Sequence, residues 1–538
     1  PGITRGLIPA TMPHILQRQP IDSNNKIIFL VKANTWGIRD VGDDVTNPMP
    51  TFADGSSTIN KVLFFRNRIA LLSGENVILS RPGELAEPSF FAKTALAVSA
   101  IDPIDISSSS TYPSELYDGI EIPAGLVVFS TNQQFLLSAD AEILNPDTAK
   151  FRSISHHNYD KNIPPISLGT SIGFVDNSGL ACRFMEMQQV QREQEPIITE
   201  TSKVIQGEIE MQYWHINNIA CSPENGMVFL AEQQGNGQVG KDQIWGFKYQ
   251  NFGDRKQAAW FTWDFRTGSG LDAGLKYIFT IDDSLFILGA DDFLQEQFLV
   301  PPSRAKSPIS LHLNAEQYIG LEYGIYLDNW VTMVGGAYDS ATKKTTFTHG
   351  TNSCDFDWHS QQSTYSNGTR AKPYAVGFWL DDATMNPGAT GTKPYALSQD
   401  LEDVVDGTSF KVSGDWSNAR IYVGYTYTVS LMFPRFYYTQ QQGNQIKVDQ
   451  QDYLVLHRLH FITSGASEAS IQLWTNTGSS SPEISPRRAD QAYLGHQPFQ
   501  EYGKFTVPVY EKNDRVWPWL TSSTVGPFNL QSVTWEGD

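Results

Sequence analysis

Apolar and β-branched residues along this chain come in short runs of roughly four to eight, divided by clusters of Gly, Asn, Asp, Ser and Pro. That pattern predicts strands joined by turns. Several runs pair as hairpins. Residues 62–65 and 69–72 surround Asn67, and 76–80 follows across Ser73 and Gly74. Residues 126–130 and 134–137 flank Thr131 and Asn132, and 172–175 and 180–184 flank the turn 176–179. Residues 219–222 and 227–231 flank 223–226, and 277–281 and 285–288 flank 282–284. A helical period is missing almost everywhere. The one helix candidate runs over 84–98, with Pro88 inside it.

The hairpins recur at irregular intervals of roughly 40 to 55 residues, close to the blade periods of propellers, although no Trp-Asp or Gly-His signature repeats. The expected fold is all-β: a degenerate β-propeller-like domain over 41–300, then a second β-rich module, sandwich or barrel-like, over 301–538. Residues 1–40 read as the remnant of a preceding domain or a linker. The second module opens after Val300-Pro301-Pro302. Its strand candidates are 311–313, 326–334, 343–348, 374–380, 420–432, 453–461 and 469–474. Polar loops divide them at 360–370 and 386–393.

Composition narrows the function. With 538 residues, 40% hydrophobic and 18% charged, the chain has apolar surface enough for real cores. Its 39 Lys and Arg against 58 Asp and Glu give a formal charge of −19. So acidic a chain is poorly suited to wrapping nucleic acid, since phosphate affinity comes from Lys and Arg. Three cysteines, Cys182, Cys221 and Cys354, lie far apart and make no disulfide framework or zinc spacing; buried free thiols are the simpler reading. No stretch approaches the ~18 apolar residues of a membrane span, so no membrane insertion by this chain is expected. The chain opens on Pro1, not Met, and without the pattern of a signal peptide; whether an N-terminal part of the natural protein precedes it is left open.

Chemistry-bearing motifs are few. Gly235, Gly237 and Gly240 fit G-x-G-x-x-G, but 243–249 reads as a strand where a dinucleotide loop would open a helix. The adjacent carboxylates Asp43-Asp44, Asp282-Asp283, Asp291-Asp292 and Asp381-Asp382 would point to opposite faces of a strand, which suits solvated turns better than an acid/base dyad. Asp102-Pro103-Ile104-Asp105 reads as a structural turn. His156-His157 and the pair His457 and His460 are the only close histidines, and the second pair would also face opposite ways on a strand. No nucleophile elbow or Walker loop occurs. The expected catalytic, cofactor-binding and metal residues are therefore none, no cofactor is expected, and lumen or gate residues are left unassigned.

The stretch 61–81 (KVLFFRNRIALLSGENVILSR) is more specific. It closely resembles the tail tubular protein B family, the nozzle proteins of short-tailed phages. Similar stretches keep the family's order: 11–16 (TMPHIL), 42–48 (GDDVTNP), 102–106 (DPIDI), Phe129-Ser130 with 134–137 (QFLL), 260–265 (WFTWDF) and 535–537 (WEG). The likeness is dense over about 11–140, patchy to about 300 and thin in the last third.

That resemblance implies a virion structural protein, not an enzyme. In the family, six copies form a ring below the head-to-tail adaptor, continue the DNA channel and anchor tail fibres. The implied partners are thus a homo-hexamer, the adaptor ring, a tail fibre protein, and double-stranded DNA passing through without specific binding. Family chains carry a further N-terminal region. A basic lumen would hold DNA through released counterions, so the inner wall is expected to be acidic or neutral. Aromatic segments at 422–427, Tyr437-Tyr438 and 517–519 are candidates for subunit interfaces, with ordinary core as the competing reading. Two other functions fit an acidic β-rich chain: a virion-associated glycan hydrolase on a propeller, and a carbohydrate-binding adhesin.

Overall fold

The computed structural model describes residues 5–264, 275–298, 328–348, 374–379, 397–484 and 500–538, less internal gaps, the longest being 206–213, 235–242 and 250–257. Among the described residues there is no α-helix, only the 3-10 turns Pro9–Thr11, Thr51–Asp54 and Ser202–Ile205 among many strands. The fold is all-β. The chain divides into two compact units, the first Pro1–Asp264 with Ala273–Gln297, the second Phe265–Asp272 with Phe298–Asp538.

The first unit repeats one motif, an antiparallel meander. The first meander is Ile59–Phe65, Arg68–Ser73, Asn76–Leu79 and Ile104–Ser107. The second is Leu116–Ile122, Gly125–Ser130, Gln134–Ala139 and Ala149–Ser155; the third is Ile166–Ser167, Ile172–Asp176, Arg183–Gln188 and Ile197–Glu200. A fourth (Trp214–Ser222, Met227–Gln234, Gln243–Tyr249, Ala258–Asp264) and a three-stranded fifth (Leu275–Ile281, Ser284–Gly289, Leu294–Phe298) follow. Turn chemistry fixes the register of the first hairpin. Arg66 and Asn67 take φ of +46° and +60°, the pair of left-handed residues that a two-residue hairpin needs to match the strands' twist.

Side-chain alternation explains how consecutive meanders pack. In Gly125–Ser130 every residue is buried. Leu126 and Val128 point at Leu72, Val77 and Leu79 of the first meander. Val127 and Phe129, one residue out of phase, meet Ile172, Phe174 and Met187 of the third. Val175 and Phe184 of the third share a core with Val228, Leu230 and Phe247 of the fourth. A strand clamped on both faces reads as a continuous apolar run, which is what 126–129 shows. Polar stitches join neighbours: Lys61 Nζ lies 2.6 Å from Asp118 Oδ2, and the backbone N–H of Ile278 donates to Asn218 Oδ1 at 2.9 Å. Meanders stacked face to face in chain order make this unit propeller-like.

In the second unit, one sheet orders Gln500–Lys512, Val455–Ala466 and Phe528–Gly537, and another orders Val429–Met432, Val516–Ser522, Ala469–Thr475 and Gly478–Ser480. Leu459, Phe461 and Val507 of the one pack with Ile471, Leu473 and Leu520 of the other, a two-sheet sandwich. Two further four-stranded sheets, containing Ala419–Tyr425 and Ser409–Ser413, and a hairpin of Tyr438–Gln442 with Gln445–Asp449 complete the described part.

Two sequence expectations are corrected. The described residues of 84–98 form no helix. Pro88 has no N–H to give and biases its predecessor away from helical angles. The segment is instead pinned from outside: Pro88 accepts from the Gly37 N–H at 3.0 Å, and the Ala92 N–H donates to Asn47 Oδ1 at 3.1 Å. The run 420–432 is not one strand. Ala419–Tyr425 pairs with Asp328–Val334 and Tyr374–Trp379, whereas Val429–Met432 pairs with Val516–Ser522 in another sheet. Continuous alternation does not encode which partner each half takes. The candidate strand 311–313 and the loops 360–370 and 386–393 lie outside the described residues.

Candidate assembly surfaces

The first meander's outer face is covered by the chain that precedes it and by the connection between its third and fourth strands. Met12, Trp36, Phe52 and Phe90 pack on Leu71 and Ile78, with Trp36 stacked on Phe90 at 5.9 Å between ring centres. Below these anchors the stem is tied again. The Arg39 N–H donates to the Arg5 carbonyl at 2.8 Å, and one carboxylate, Asp44, takes Arg39 at 2.8 Å and Arg5 at 3.1 Å.

Between Met12 and Trp36 the chain leaves the core. His14–Arg18 and Phe29–Ala33 pair antiparallel as an isolated two-stranded ribbon. Opposed residues share a face. One face carries Leu16 against Val31 and Arg18 against Phe29; the other carries Ile15 against Lys32 and Gln17 against Leu30. Leu16, Phe29 and Val31 are 64%, 55% and 65% exposed, and Leu30 on the other face is 48% exposed. Neither face is covered by the described residues of its own unit. The sequence reading gave 1–40 no element of its own; the signal was there in the apolar run 27–31, but a strand pattern carries no mark of what will cover it.

The sandwich offers a second exposed apolar area. Trp474 and Trp517 are cross-strand partners, 48% and 36% exposed. Beside them Met432 opposes Trp519, whose Nε1 donates to Ser430 Oγ. Of the aromatic segments singled out in the sequence, Trp517 thus lies at the surface, while Trp519 and Tyr437 are half-buried; Tyr422, Tyr425, Tyr427 and Tyr438 have no side chain among those described.

The residues weighed for chemistry are dispersed and satisfied locally. Asp43 caps a turn, accepting from the Thr46 and Val45 N–H groups at 2.9 and 3.0 Å, while its neighbour Asp44 serves the arginines. Asp102 accepts from the Ser99 N–H at 2.7 Å, and Asp105 from Thr51 and Asn76. Asp283 accepts from Asn225 across two hairpins. His457 reaches Asp538 at 2.9 Å; His460 meets Thr506 at 2.8 Å and Glu536 at 3.0 Å. Gln134 Nε2 donates to the carbonyl of His157 at 2.8 Å. The loop 235–240, Asp291-Asp292, Asp381-Asp382 and Cys354 lie outside the described residues, and Gln243–Tyr249 after the glycines is a strand. Cys182 is buried, and Cys221 gives its thiol proton to the Ser167 carbonyl at 3.3 Å, burial pushing its pKa up to about 12. Among the described residues no cluster of His, Cys, Asp or Glu could hold a metal ion.

A chain of packed sheets that leaves clusters of apolar side chains exposed on a ribbon and on a sheet face has the make-up of an assembly component. Comparison with known proteins gives the kind of assembly. The family model described as bacteriophage nozzle protein matches residues 1–538, and the chain belongs to that family. It is 26% identical over 339 residues to tail tubular protein gp12 of Escherichia phage T7, an alignment covering 62% of this chain and 38% of that protein. The protein is accordingly a structural protein of a phage tail. Among solved structures, Kluyveromyces lactis Hsv2 is similar over 55% of this chain and 95% of its own, at 10% identity and a TM-score of 0.25. A Chaetomium thermophilum Nup170 NTD–Nup53 complex is similar over 70% of this chain and 60% of its own, at 10% identity and a TM-score of 0.29. Both are distant likenesses.

Proposed function

We propose that this chain is a subunit of a hexameric nozzle ring that continues the DNA-ejection channel below the head-to-tail adaptor and anchors tail fibres. The match to the nozzle family over the whole chain carries this reading. In the division we favour, 41–300 is the propeller-like part, 301–538 the nozzle or tip part, and 1–40 an attachment to what precedes them. A closed ring joins one face of a subunit to a different face of the next, so each copy must offer two unlike surfaces. The ribbon and the tryptophan face of the sandwich are unlike surfaces of that kind.

The channel wall is acidic or neutral in this reading, so that a polyanion slides instead of clinging. Six copies at −19 each bring a large negative charge to the ring, and counterion release, the main source of DNA affinity, needs clustered cations. The protein has no catalytic role in this account. Electron cryomicroscopy of the purified chain, alone and with the adaptor ring, tests it. Six-fold rings with an open channel and no retention of DNA at physiological salt are expected. Solitary particles, or a channel that clamps duplex DNA, would overturn it.

One observation favours a second reading, carbohydrate binding. Trp474 and Trp517 present neighbouring indole rings to solvent, with Gln472 opposite Trp519 beside them. Flat aromatic faces next to an amide suit a sugar ring. A glycan array probed with the monomeric chain separates the two functions: selective capture favours the adhesin, and rings without capture favour the nozzle.

A further inference from the structure

We propose that the ribbon formed by His14–Arg18 and Phe29–Ala33 is an arm that lies on a second copy of this chain, its neighbour in the ring; this rests on the nozzle reading and names the contact that builds the ring.

A lone two-stranded ribbon is marginal in water, because pairing alone does not repay the ordering of the chain. Here the ribbon pairs over its full length, yet it keeps Leu16, Phe29 and Val31 in solvent on one face and Leu30 on the other. Among the described residues of its own unit, nothing covers them. Among the described residues its two edges are also unpaired, and open edges invite pairing with another chain. The ribbon is nonetheless held in place at its base. Met12 before it and Trp36 after it are both 6% exposed in the core of the first meander. Five paired residues at about 3.3 Å each give a reach of roughly 17 Å beyond those anchors. An arm fixed at its root loses less freedom on docking than a loose tail.

Charge selects the occupant. Segment 14–33 contains Arg18, Lys26 and Lys32 against the single carboxylate Asp22, whereas the whole chain carries −19. The arm is a positive element on a negative protein, so its complement is the acidic surface of another copy. Opposite potentials steer such contacts and suppress wrong ones. Duplex DNA is also an acidic partner, but phosphate contacts would leave the aliphatic face of Leu16 and Val31 in water.

The test uses the full chain. The double variant Leu16→Ser/Val31→Ser removes apolar surface without touching the core, so its thermal unfolding as a monomer should match wild type. Its assembly, followed by mass photometry, should need about a hundredfold higher protein concentration, the effect of losing two aliphatic burials. Arg18→Glu/Lys32→Glu should also impair assembly, and wild-type assembly should weaken as salt rises. A photo-crosslinking residue at Val31 should join two copies of the chain. If wild type forms rings and the serine variant forms them at the same concentration, the arm is not the joint and this inference fails while the nozzle function stands. Crosslinks only to the adaptor, or a loss of DNA binding in place of assembly, overturn it equally. A wild-type chain that stays monomeric at every concentration defeats the nozzle reading itself.

Discussion

Arg68 reaches across the first meander to Asp102 by its backbone, not its carboxylate: Nη1 donates to the Asp102 carbonyl at 2.7 Å and to that of Ser80 at 2.8 Å. Nη2 donates to Ala100 at 3.0 Å and to Leu144 at 3.4 Å. The guanidinium is 2% exposed, and burial lowers its pKa, with Asp102 opposing that shift and Arg81 adding to it. One side chain thereby satisfies four carbonyls in segments that have no ladder of their own.

Replacing Arg68 with Met should destabilise the first unit by at least about 3 kcal/mol, because the carbonyls are left buried without donors. Arg68→Lys should recover only part of the loss, since an ammonium cannot span the same fork. Denaturant titration of both variants checks this.

Gly125 stands at φ +152°, and a Cβ there would collide with the Leu137 carbonyl oxygen on the neighbouring strand. Gly125→Ala should cost about 2–4 kcal/mol by forcing that pairing apart. Gly169, at φ +92° with open space around it, is the control: its alanine variant should lose only the conformational part, about 1 kcal/mol. Comparing the two melting curves separates collision from backbone strain.

The Asp43 carboxylate is held below the usual aspartate value of 3.8, chiefly by the Thr46 N–H, then by the Val45 N–H and the Thr46 hydroxyl. A depressed carboxyl favours folding above its unfolded pKa, and that support is lost as pH falls through the folded value. Asp43→Ala should therefore melt earlier than wild type at neutral pH, and the gap should close below about pH 3.8. Melting temperatures taken across an acid series would show it; a gap independent of pH would contradict the assignment.

With its pKa near 12, Cys221 holds almost no thiolate at neutral pH, and the thiolate is the nucleophile. Iodoacetamide at pH 8 should leave Cys221 and the buried Cys182 unmodified in the folded protein and label both after denaturation. Mass spectrometry of the digested protein reads the two sites separately.

How much of this was legible in the sequence depends on how local the cause is. The hairpin at Asn67 could be read because its turn residues and alternating strands lie within about a dozen positions. The strand at 126–130 could be read for the same reason, and the unbroken apolarity of 126–129 follows from being clamped on both faces. The segment 84–98 was misread because what shapes it, the Gly37 N–H and the Asn47 side chain, lies about 45 residues or more away. The split of 420–432 depends on partners nearly a hundred residues apart, Val429 opposite Ser522. The ribbon is the clearest limit. Leu16 and Val31 look like core residues in any strand pattern, and only the fold shows them uncovered. Asp43, Asp105 and His460, weighed for chemistry in the sequence, are taken up by turns and neighbouring strands, partners that no local spacing announces.

The anchoring of the ribbon through Met12 and Trp36 sets an order of manufacture. A ribosome delivers both anchors before it delivers Leu71 and Ile78, the surface on which they come to rest. For that interval the nascent chain displays its stickiest segment with nowhere to put it, in a cell filling with identical copies. Chaperone capture early in synthesis, or delayed encounter between sister chains, would decide whether the arms find the right berth or tangle first.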